Sequence, residues 1–571
     1  MIPFVEIIAF LWLVRTIKFI LFWIYLWQLK EYHIGRFIDH FSTDKGKTLV
    51  FGAISIVKLI LLIFLLIDSV FLTLVFYVLF AVWAIESLLF IYSIFTKTFK
   101  RPVVTKKTVF LTSTSILLVI LYAVFAYNYN DVLGFTFSIL LFDILTPLLI
   151  SAVVLLFQPF FVLARNGILK KAAKKISTFK NLTVIGITGS YGKTSTKEFL
   201  TTILASKFNV LSTPEHKNSE IGIAQTILQS LNEKHKIFIV EMGSYSKGGI
   251  KLLCDIVKPR IGIVTGVNEQ HLATFGSLEN LLSAEGGREL AESLPKNGLI
   301  ILNGDNKYCL DLYKKTGINK KTKAPILEKI GARPSTQDLS ALVYTVKKDT
   351  VDSDIWTEDV EARKDSLHFI AICQDKEIAH FDVSVLGKQN VQNLLGAILI
   401  AKELGMNLEE ISIACKNIRQ EQAGMTLKKG LYGLNVIDSS YSSNPDGVMA
   451  DLDYLNIFGQ NLLSLDNFIQ AKKVIVMPCL IELGSKSKEI HRQIGKKIAE
   501  VCDLAIITTK DRFDDIKSGA IEYSMPADKI LLCDKPADIV NIITTFCKEG
   551  DAVLLEGRVP GELIRLLYRS K

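Results

Sequence analysis

Four apolar runs near the start of the chain, at roughly 49–67, 69–95, 109–127 and 134–162, constrain it more than anything that follows. Each is long enough to cross the hydrocarbon of a bilayer, which is about 30 Å thick. Lipid offers the backbone no hydrogen-bond partner, so runs of this kind must be helical. A fifth run, roughly 4–28, is rich in Trp and Tyr but is interrupted by Arg15 and Lys18. It either spans the bilayer or lies at its surface. No small-residue cleavage site follows its apolar core, so it is not read as a removable signal peptide.

The positive charge sits in alternate connections. Segment 29–48 carries Lys30, Arg36, Lys45 and Lys47, and segment 96–108 carries Lys97, Lys100, Arg101, Lys106 and Lys107. Arg165, Lys170, Lys171, Lys174 and Lys175 follow the last run, whereas the connections around Asp68 and from Tyr127 to Asp131 have no Lys or Arg. The positive-inside rule places the three basic segments, and all that follows them, in the cytoplasm. The 165–175 cluster suits contact with anionic membrane lipid, and equally a plain stop signal. Lys58, Glu86 and Asp143 fall inside expected spans. Intramembrane charges mark functional sites unless they pair with one another or reach the headgroups, and pairing is the simpler expectation.

Up to residue 180 the chain has 18 Lys+Arg against 8 Asp+Glu, leaving 48 against 49 for the remainder. The basic excess therefore belongs to the membrane part, and no nucleic-acid partner is expected. The mean hydropathy of +0.34 has the same origin. All eight cysteines lie after residue 250 and none forms a CxxC pair, which reads as reduced cytosolic thiols.

Beyond a basic segment at 166–180, residues 184–196 read as strand, glycine-rich turn and helix. Gly189, Ser190, Tyr191, Gly192, Lys193, Thr194 and Ser195 form the turn and the helix start. Backbone N–H groups, a helix N-terminus and a lysine then face one place, and a polyphosphate such as that of ATP is the usual occupant. The general pattern wants a glycine where Ile187 stands. Residues 238–243 form an apolar strand ending in Glu241. A carboxylate there can hold Mg2+ together with the Thr194 hydroxyl, although a strand-end Glu alone is more often merely solvated. Another buried strand at 260–268 runs into Glu269, Gln270 and His271. Residues 340–386 alternate apolar and polar, as in an antiparallel β excursion. Further on, apolar runs at 434–437, 473–477, 504–508, 530–533 and 552–555 alternate with helical patterns, which predicts a mostly parallel sheet. The expected fold class is an α-helical transmembrane N-terminal region followed by α/β: a P-loop central ATPase domain and a Rossmann-like C-terminal domain. The boundaries are 1–165 for the spans, 166–180 for a juxtamembrane linker, 181–425 and 426–571.

The run Thr188-Gly189-Ser190-Tyr191-Gly192-Lys193-Thr194-Ser195-Thr196 resembles the Mur ligase family, ATP-dependent amide ligases of peptidoglycan precursor synthesis. His271 with Phe275-Gly276-Ser277-Leu278-Glu279 looks like the branch that adds D-alanyl-D-alanine, as does Glu482-Leu483-Gly484 followed by His491 and Gly495. The resemblance covers about 181–571. It implies that Glu241 and His271 serve magnesium, that Asn218 lies near the substrate, and that Asn303 contacts adenine. It also implies that Asp438, Tyr441 and Asn444 line the cleft facing ATP and the incoming amine, although strand-to-helix turns use Asn and Asp as caps in any case. Gln389 stands where the family has His, and Glu556-Gly557-Arg558 where it tends to have Lys-Gly-Ser.

Three departures matter. The family has a lysine, carbamylated by CO2, where Glu285 stands. A glutamate already carries an anion, so Glu285 either replaces the carbamate, directly or through a water, or is an ordinary exposed helix residue. The family has an arginine where Met425 or Thr426 stands, which leaves one nucleotide contact open. Finally, spans take the place of the family's nucleotide-sugar-binding domain. The implied partners are ATP, Mg2+, D-alanyl-D-alanine and a UDP- or lipid-linked muropeptide, and the implied location is the bacterial inner membrane with the catalytic domains in the cytoplasm. A poly-γ-glutamate-type ligase and a degenerate membrane scaffold are the alternatives.

Overall fold

The computed structural model describes residues 2–568 apart from 31, 43, 68–71, 97, 130, 216, 269–270, 316–318, 321–338, 349–350, 442–443, 460–470 and 482. Asp68, Lys97, Glu269, Gln270 and Glu482, used above, lie outside the described residues, and so do the side chains of Arg36 and Lys45. The chain divides into two units, Met1–Gly167 and Ile168–Lys571.

Among the described residues, five helices, the last of which runs on past Gly167, are long and apolar enough to cross a membrane: Val5–Leu29, Gly46–Ile67, Thr73–Phe95, Lys106–Asn128 and Val132–Ile176. The run interrupted by Arg15 and Lys18 is thus one continuous helix of span length. The charge of Arg15 is accounted for within the bundle. Arg15 Nε lies 3.3 Å from Glu86 Oε2, and its guanidinium also pairs with Asp143. Lys58 Nζ lies 2.5 Å from Glu86 Oε2 and 2.9 Å from Asp143 Oδ2. The Trp83 indole N–H donates to Asp143 Oδ2 at 3.4 Å. All four ionic side chains are buried, each from a different helix, and they sum to zero charge. Pairing of the intramembrane charges was the simpler expectation, and Arg15 is the member that the sequence did not connect to it.

The last of these helices runs to Ile176, so most of the segment read as a linker is helix. The cause is an apolar face: Leu169, Ala172 and Ile176 are buried in the second unit's core, while Lys170, Lys171 and Lys174 are exposed. Lys175 Nζ donates to the carbonyls of Ile227 and Leu228 at 2.8 and 3.0 Å, where it offsets the negative end of the helix Glu220–Ser230.

The second unit holds two sheets. The strands of the first are β1 Thr183–Thr188, β2 Val210–Ser212, β3 Ile237–Glu241, β4 Ile261–Val264, β5 Leu299–Asn303, β6 Asn319–Lys320, β7 Ser340–Tyr344, β8 Ile355–Ala362, β9 Leu367–Cys373 and β10 Ile378–Val383. Their order is β10-β9-β8-β7-β5-β4-β1-β3-β2, with β6 beside β7. From β2 to β8 neighbours are parallel and only the β8–β9 and β9–β10 pairs are antiparallel, so the excursion expected at 340–386 is antiparallel only from β8 onward. Alternation sends Ile185 and Ile187 to one face, against Phe199, Leu200, Leu394 and Ile398, and Val184 to the other, against Ile223, Phe238 and Val240. A parallel sheet covered on both faces explains why these strands read as unbroken apolar runs.

The second sheet comprises β11 Thr426–Lys429, β12 Asn435–Ser439, β13 Lys473–Met477, β14 Leu504–Ile507, β15 Ile530–Leu532 and β16 Ala552–Glu556, ordered β11-β12-β16-β13-β14-β15. All five expected strands are present and parallel, and β11 adds an antiparallel edge.

Candidate active site

The phosphate loop leaves β1 between two of its parallel neighbours. Gly189 and Gly192 have φ of 137° and 75°, conformations that L side chains rarely adopt. A Cβ on Gly189 would meet Thr265 Oγ1 at 2.3 Å, and one on Gly192 would meet Asn393 Oδ1 at 2.3 Å. Thr265 pins the loop through its hydroxyl, which donates to Tyr191 O at 2.5 Å, and Ser190 N donates to Gly266 O at 2.7 Å. The helix Lys193–Ala205 then starts at Gly192 with no side-chain cap. Its first N–H groups are the kind that bind anions. Lys193 Nζ folds back onto Gly189 O and lies 3.4 Å from Ser190 O.

Register brings Glu241 to this loop, since it pairs with Ile187 across β1 and β3. Glu241 Oε1 accepts from Thr194 Oγ1 and from Asn218 Nδ2, each at 3.1 Å. Its Oε2 lies 3.4 Å from Nζ of Lys197, which is fully buried and also faces Glu198 at 3.0 Å. Lys197 is one helical turn beyond Lys193, a spacing that could have drawn attention to it.

On the other side of the loop, Glu285 is 2% exposed. Its Oε2 accepts from Ser190 Oγ at 2.7 Å, and its Oε1 is 3.1 Å from His271 Nδ1. It is therefore not an ordinary exposed helix residue. Burial pushes its carboxyl up, but the charge of Lys193, with His271 and Ser190, outweighs burial and holds it below its usual value. The pairing makes His271 Nδ1 the donor and leaves Nε2 as the basic nitrogen.

Asn303 is fully buried, with Nδ2 donating to Thr265 O at 2.8 Å and Oδ1 accepting from Asp305 N at 2.9 Å. Both ends of its amide hold the protein's own backbone. The Tyr191 ring packs so closely on Gly266 that a Cβ there would fall 2.3 Å from it, and its hydroxyl accepts from Asn306 Nδ2 at 3.2 Å. Ser195 Oγ donates to Ala423 O at 3.4 Å.

The C-terminal sheet meets this site at the carboxyl end of β12. Asp438 Oδ1 accepts from Ser440 N at 3.1 Å. Tyr441 hydrogen-bonds Thr194, and burial together with the Glu241 carboxylate pushes its hydroxyl up. Asn444 caps the helix Pro445–Asn456 by accepting from Gly447 N at 3.0 Å, as such a turn predicts. Asn268 Nδ2, from the loop after β4, reaches Asn444 Oδ1 at 3.3 Å and Asp446 Oδ2 at 2.9 Å. Gln389 Nε2 donates to Asp451 Oδ1 at 3.0 Å, so the residue standing in place of His ties the two sheets together. His491 is buried and engaged with backbone at both ring nitrogens: Nε2 accepts from Leu480 N at 3.0 Å while Nδ1 donates to Ser487 O at 2.6 Å. Met425 is buried in the C-terminal core and supplies nothing to the cleft.

Among the described residues no three His, Cys, Asp or Glu side chains converge as a metal cage. Mg2+ seldom uses one: it takes one or two carboxylates and completes its shell with water and substrate phosphates. The Thr194 and Glu241 oxygens beside a phosphate loop fit that habit. The Glu285–His271 pair fits the carboxylate–imidazole arrangement that orients metal-binding histidines.

Parallel order, a phosphate loop at the end of β1 and a second, mostly parallel sheet facing it define a two-sheet α/β unit of the P-loop, nucleotide-binding type. Residues 187–401 match the Mur ligase middle domain. Two of the relatives are UDP-N-acetylmuramoyl-tripeptide–D-alanyl-D-alanine ligases. That of Bacillus subtilis is 25% identical over 391 residues, 68% of this chain and 76% of its own. That of Mycobacterium bovis is 27% identical over 393 residues, 67% and 69%. In fold, the chain is similar to MurF ligase from Thermotoga maritima in complex with ADP, with a TM-score of 0.56 and 22% identity over 70% of this chain and 83% of that one. MurF from Acinetobacter baumannii gives 0.56 and 22% over 70% and 80%.

Proposed function

We propose that this protein is an ATP-dependent, ADP-forming amide ligase of the bacterial inner membrane, and that it joins D-alanyl-D-alanine to the carboxylate of a muramoyl peptide presented on lipid. One observation carries the chemistry: Lys193, Thr194, Glu241 and the Glu285–His271 pair converge on one phosphate loop, with Tyr441 of the second sheet closing over it.

In this reading the acceptor carboxylate attacks the γ-phosphorus of ATP and the bond to ADP breaks. The amine then attacks the acyl phosphate; the C–N bond forms, and phosphate leaves with the amine's proton. Two anions must meet in the first step. Lys193 and the N-terminus of its helix offset their charge. Thr194 and Glu241 would hold one Mg2+ and His271 another, and a bound ion supplies further neutralisation of the phosphates. Asn218 and Lys197 keep the Glu241 carboxylate aimed at Thr194. Glu285 acts where the family's carbamate would, by fixing His271 and Ser190.

The lipid-linked acceptor is inferred from residues 1–167, whose helices of span length stand where a nucleotide-sugar domain is expected. The basic connections support a multi-pass membrane location with the ligase unit in the cytoplasm. The test is mass spectrometry of products made by the full chain in lipid nanodiscs from ATP, Mg2+ and D-alanyl-D-alanine, with UDP-linked and undecaprenyl-linked muramoyl tripeptide supplied separately. The expected result is faster amide formation on the lipid-linked acceptor. Preference for the soluble acceptor would sink the lipid reading, and absence of ADP and amide with both would sink the ligase reading.

A further inference from the structure

Opposite the phosphate loop, the C-terminal sheet presents the ends of two adjacent parallel strands. Ser439, last in β12, is the register partner of Glu556, last in β16. Both chains then turn out of the sheet together: Gly557 takes φ 67°, and its N–H donates to Ser439 O at 3.1 Å. Two residues past Ser439 comes Tyr441, and two past Glu556 comes Arg558. Both therefore stand beyond the carboxyl ends of parallel strands, where open α/β sheets receive their ligands. Tyr441 reaches Thr194 of the phosphate loop, and the charge of Arg558 acts on the Tyr441 hydroxyl. Arg558 is exposed, and among the described residues no carboxylate is paired with it. The neighbouring carboxylates are directed elsewhere: Asp451 takes the Ser439 hydroxyl at 2.5 Å, and Glu556 is buried beneath the turn.

We propose that Arg558 holds the carboxylate of the incoming amine, so that the second substrate must be an amino acid or short peptide with a free carboxyl end. The assignment rests on the ligase reading above. An extended dipeptide spans about 7 Å, so its amine and its carboxylate can engage different residues of one cleft. The planar guanidinium suits a carboxylate, which it can bind through two parallel hydrogen bonds. The phosphates have their own cation and N–H groups on the central sheet, so an unpaired arginine on the facing sheet is available to a different anion.

The experiment compares D-alanyl-D-alanine with its C-terminal amide as substrates of the full-length wild type, Arg558→Ala and Arg558→Lys, following ADP release and amide product. The expected result is that the wild type favours the free acid and that Arg558→Ala lowers kcat/KM for the acid about 10- to 100-fold. The amide's kcat/KM and the KM for ATP should stay close to wild type, and Arg558→Lys should recover part of the loss. The proposal is overturned if the wild type uses acid and amide equally well, if Arg558→Ala slows both alike, or if the loss lies in the KM for ATP. A wild type that makes ADP and product with neither amine overturns the ligase reading itself, a different failure that takes this assignment with it. Melting of each variant shows that the exposed substitution has left the fold intact.

Discussion

Glu285 is a carboxylate taken almost wholly out of water, which is tolerable only where opposite charge and hydrogen bonds replace the lost solvation. Ser190, His271 and the nearby charge of Lys193 supply that compensation, and the same contacts fix the ring nitrogen of His271 that faces the site. A lysine would need CO2 to carry an anion here; glutamate carries one permanently. Turnover should therefore not respond to added bicarbonate, and Glu285→Ala should cut it by about 100-fold, the upper end for loss of a residue that orients a metal-binding histidine. Full turnover in Glu285→Ala would end the idea. Other residues show where motif reading stops. Asn303 matched a pattern, yet its amide is engaged with Thr265 and Asp305. Lys197 belonged to no pattern, yet it is buried against Glu241, because burial of one helix face is settled by the sheet on which the helix lies.

At the scale of elements, the five helices of span length show what apolar length can and cannot establish. Arg15 made the first run ambiguous, since one uncompensated charge in lipid is costly. Its partners, Glu86 and Asp143, come from other helices, and no periodicity within residues 4–28 could reveal them. A balanced buried tetrad need not stabilise the bundle relative to apolar residues, but removing one member leaves an unpaired charge. Lys58→Met should thus destabilise the first unit by about 3–5 kcal/mol, read as an earlier melting transition of the detergent-solubilised protein. The fourfold neutral variant, Arg15→Met with Lys58→Met, Glu86→Gln and Asp143→Asn, should melt close to wild type. If Lys58→Met melts like wild type, the four charges are not energetically coupled. The segment 166–180 carries the opposite lesson. Its lysines suggested a basic juxtamembrane linker, but Leu169, Ala172 and Ile176 at helical spacing place one face in a core.

For the whole molecule, charge separates two parts: the basic excess lies before residue 180, while the remainder is nearly neutral. If the first unit serves to bring the enzyme to a lipid-borne acceptor, a chain of residues 168–571 should remain active toward a UDP-linked tripeptide in solution while losing turnover on the lipid-linked one by at least tenfold, about 1.4 kcal/mol of lost positioning. Equal loss on both acceptors would show that the first unit supports the ligase fold and does not select the substrate. The sequence by itself determined the helices of span length, the parallel strands and the phosphate loop. These depend on apolar length, on burial of both faces of a sheet, and on glycines at positive φ, all of which are local. Only the tertiary structure decided that Glu285 sits between Ser190 and His271, that Arg15 completes an ion tetrad, that Lys197 faces Glu241, and that Arg558 stands unpaired beside Tyr441. Those meetings depend on strand order and helix packing, and they join residues whose separation along the chain carries no period.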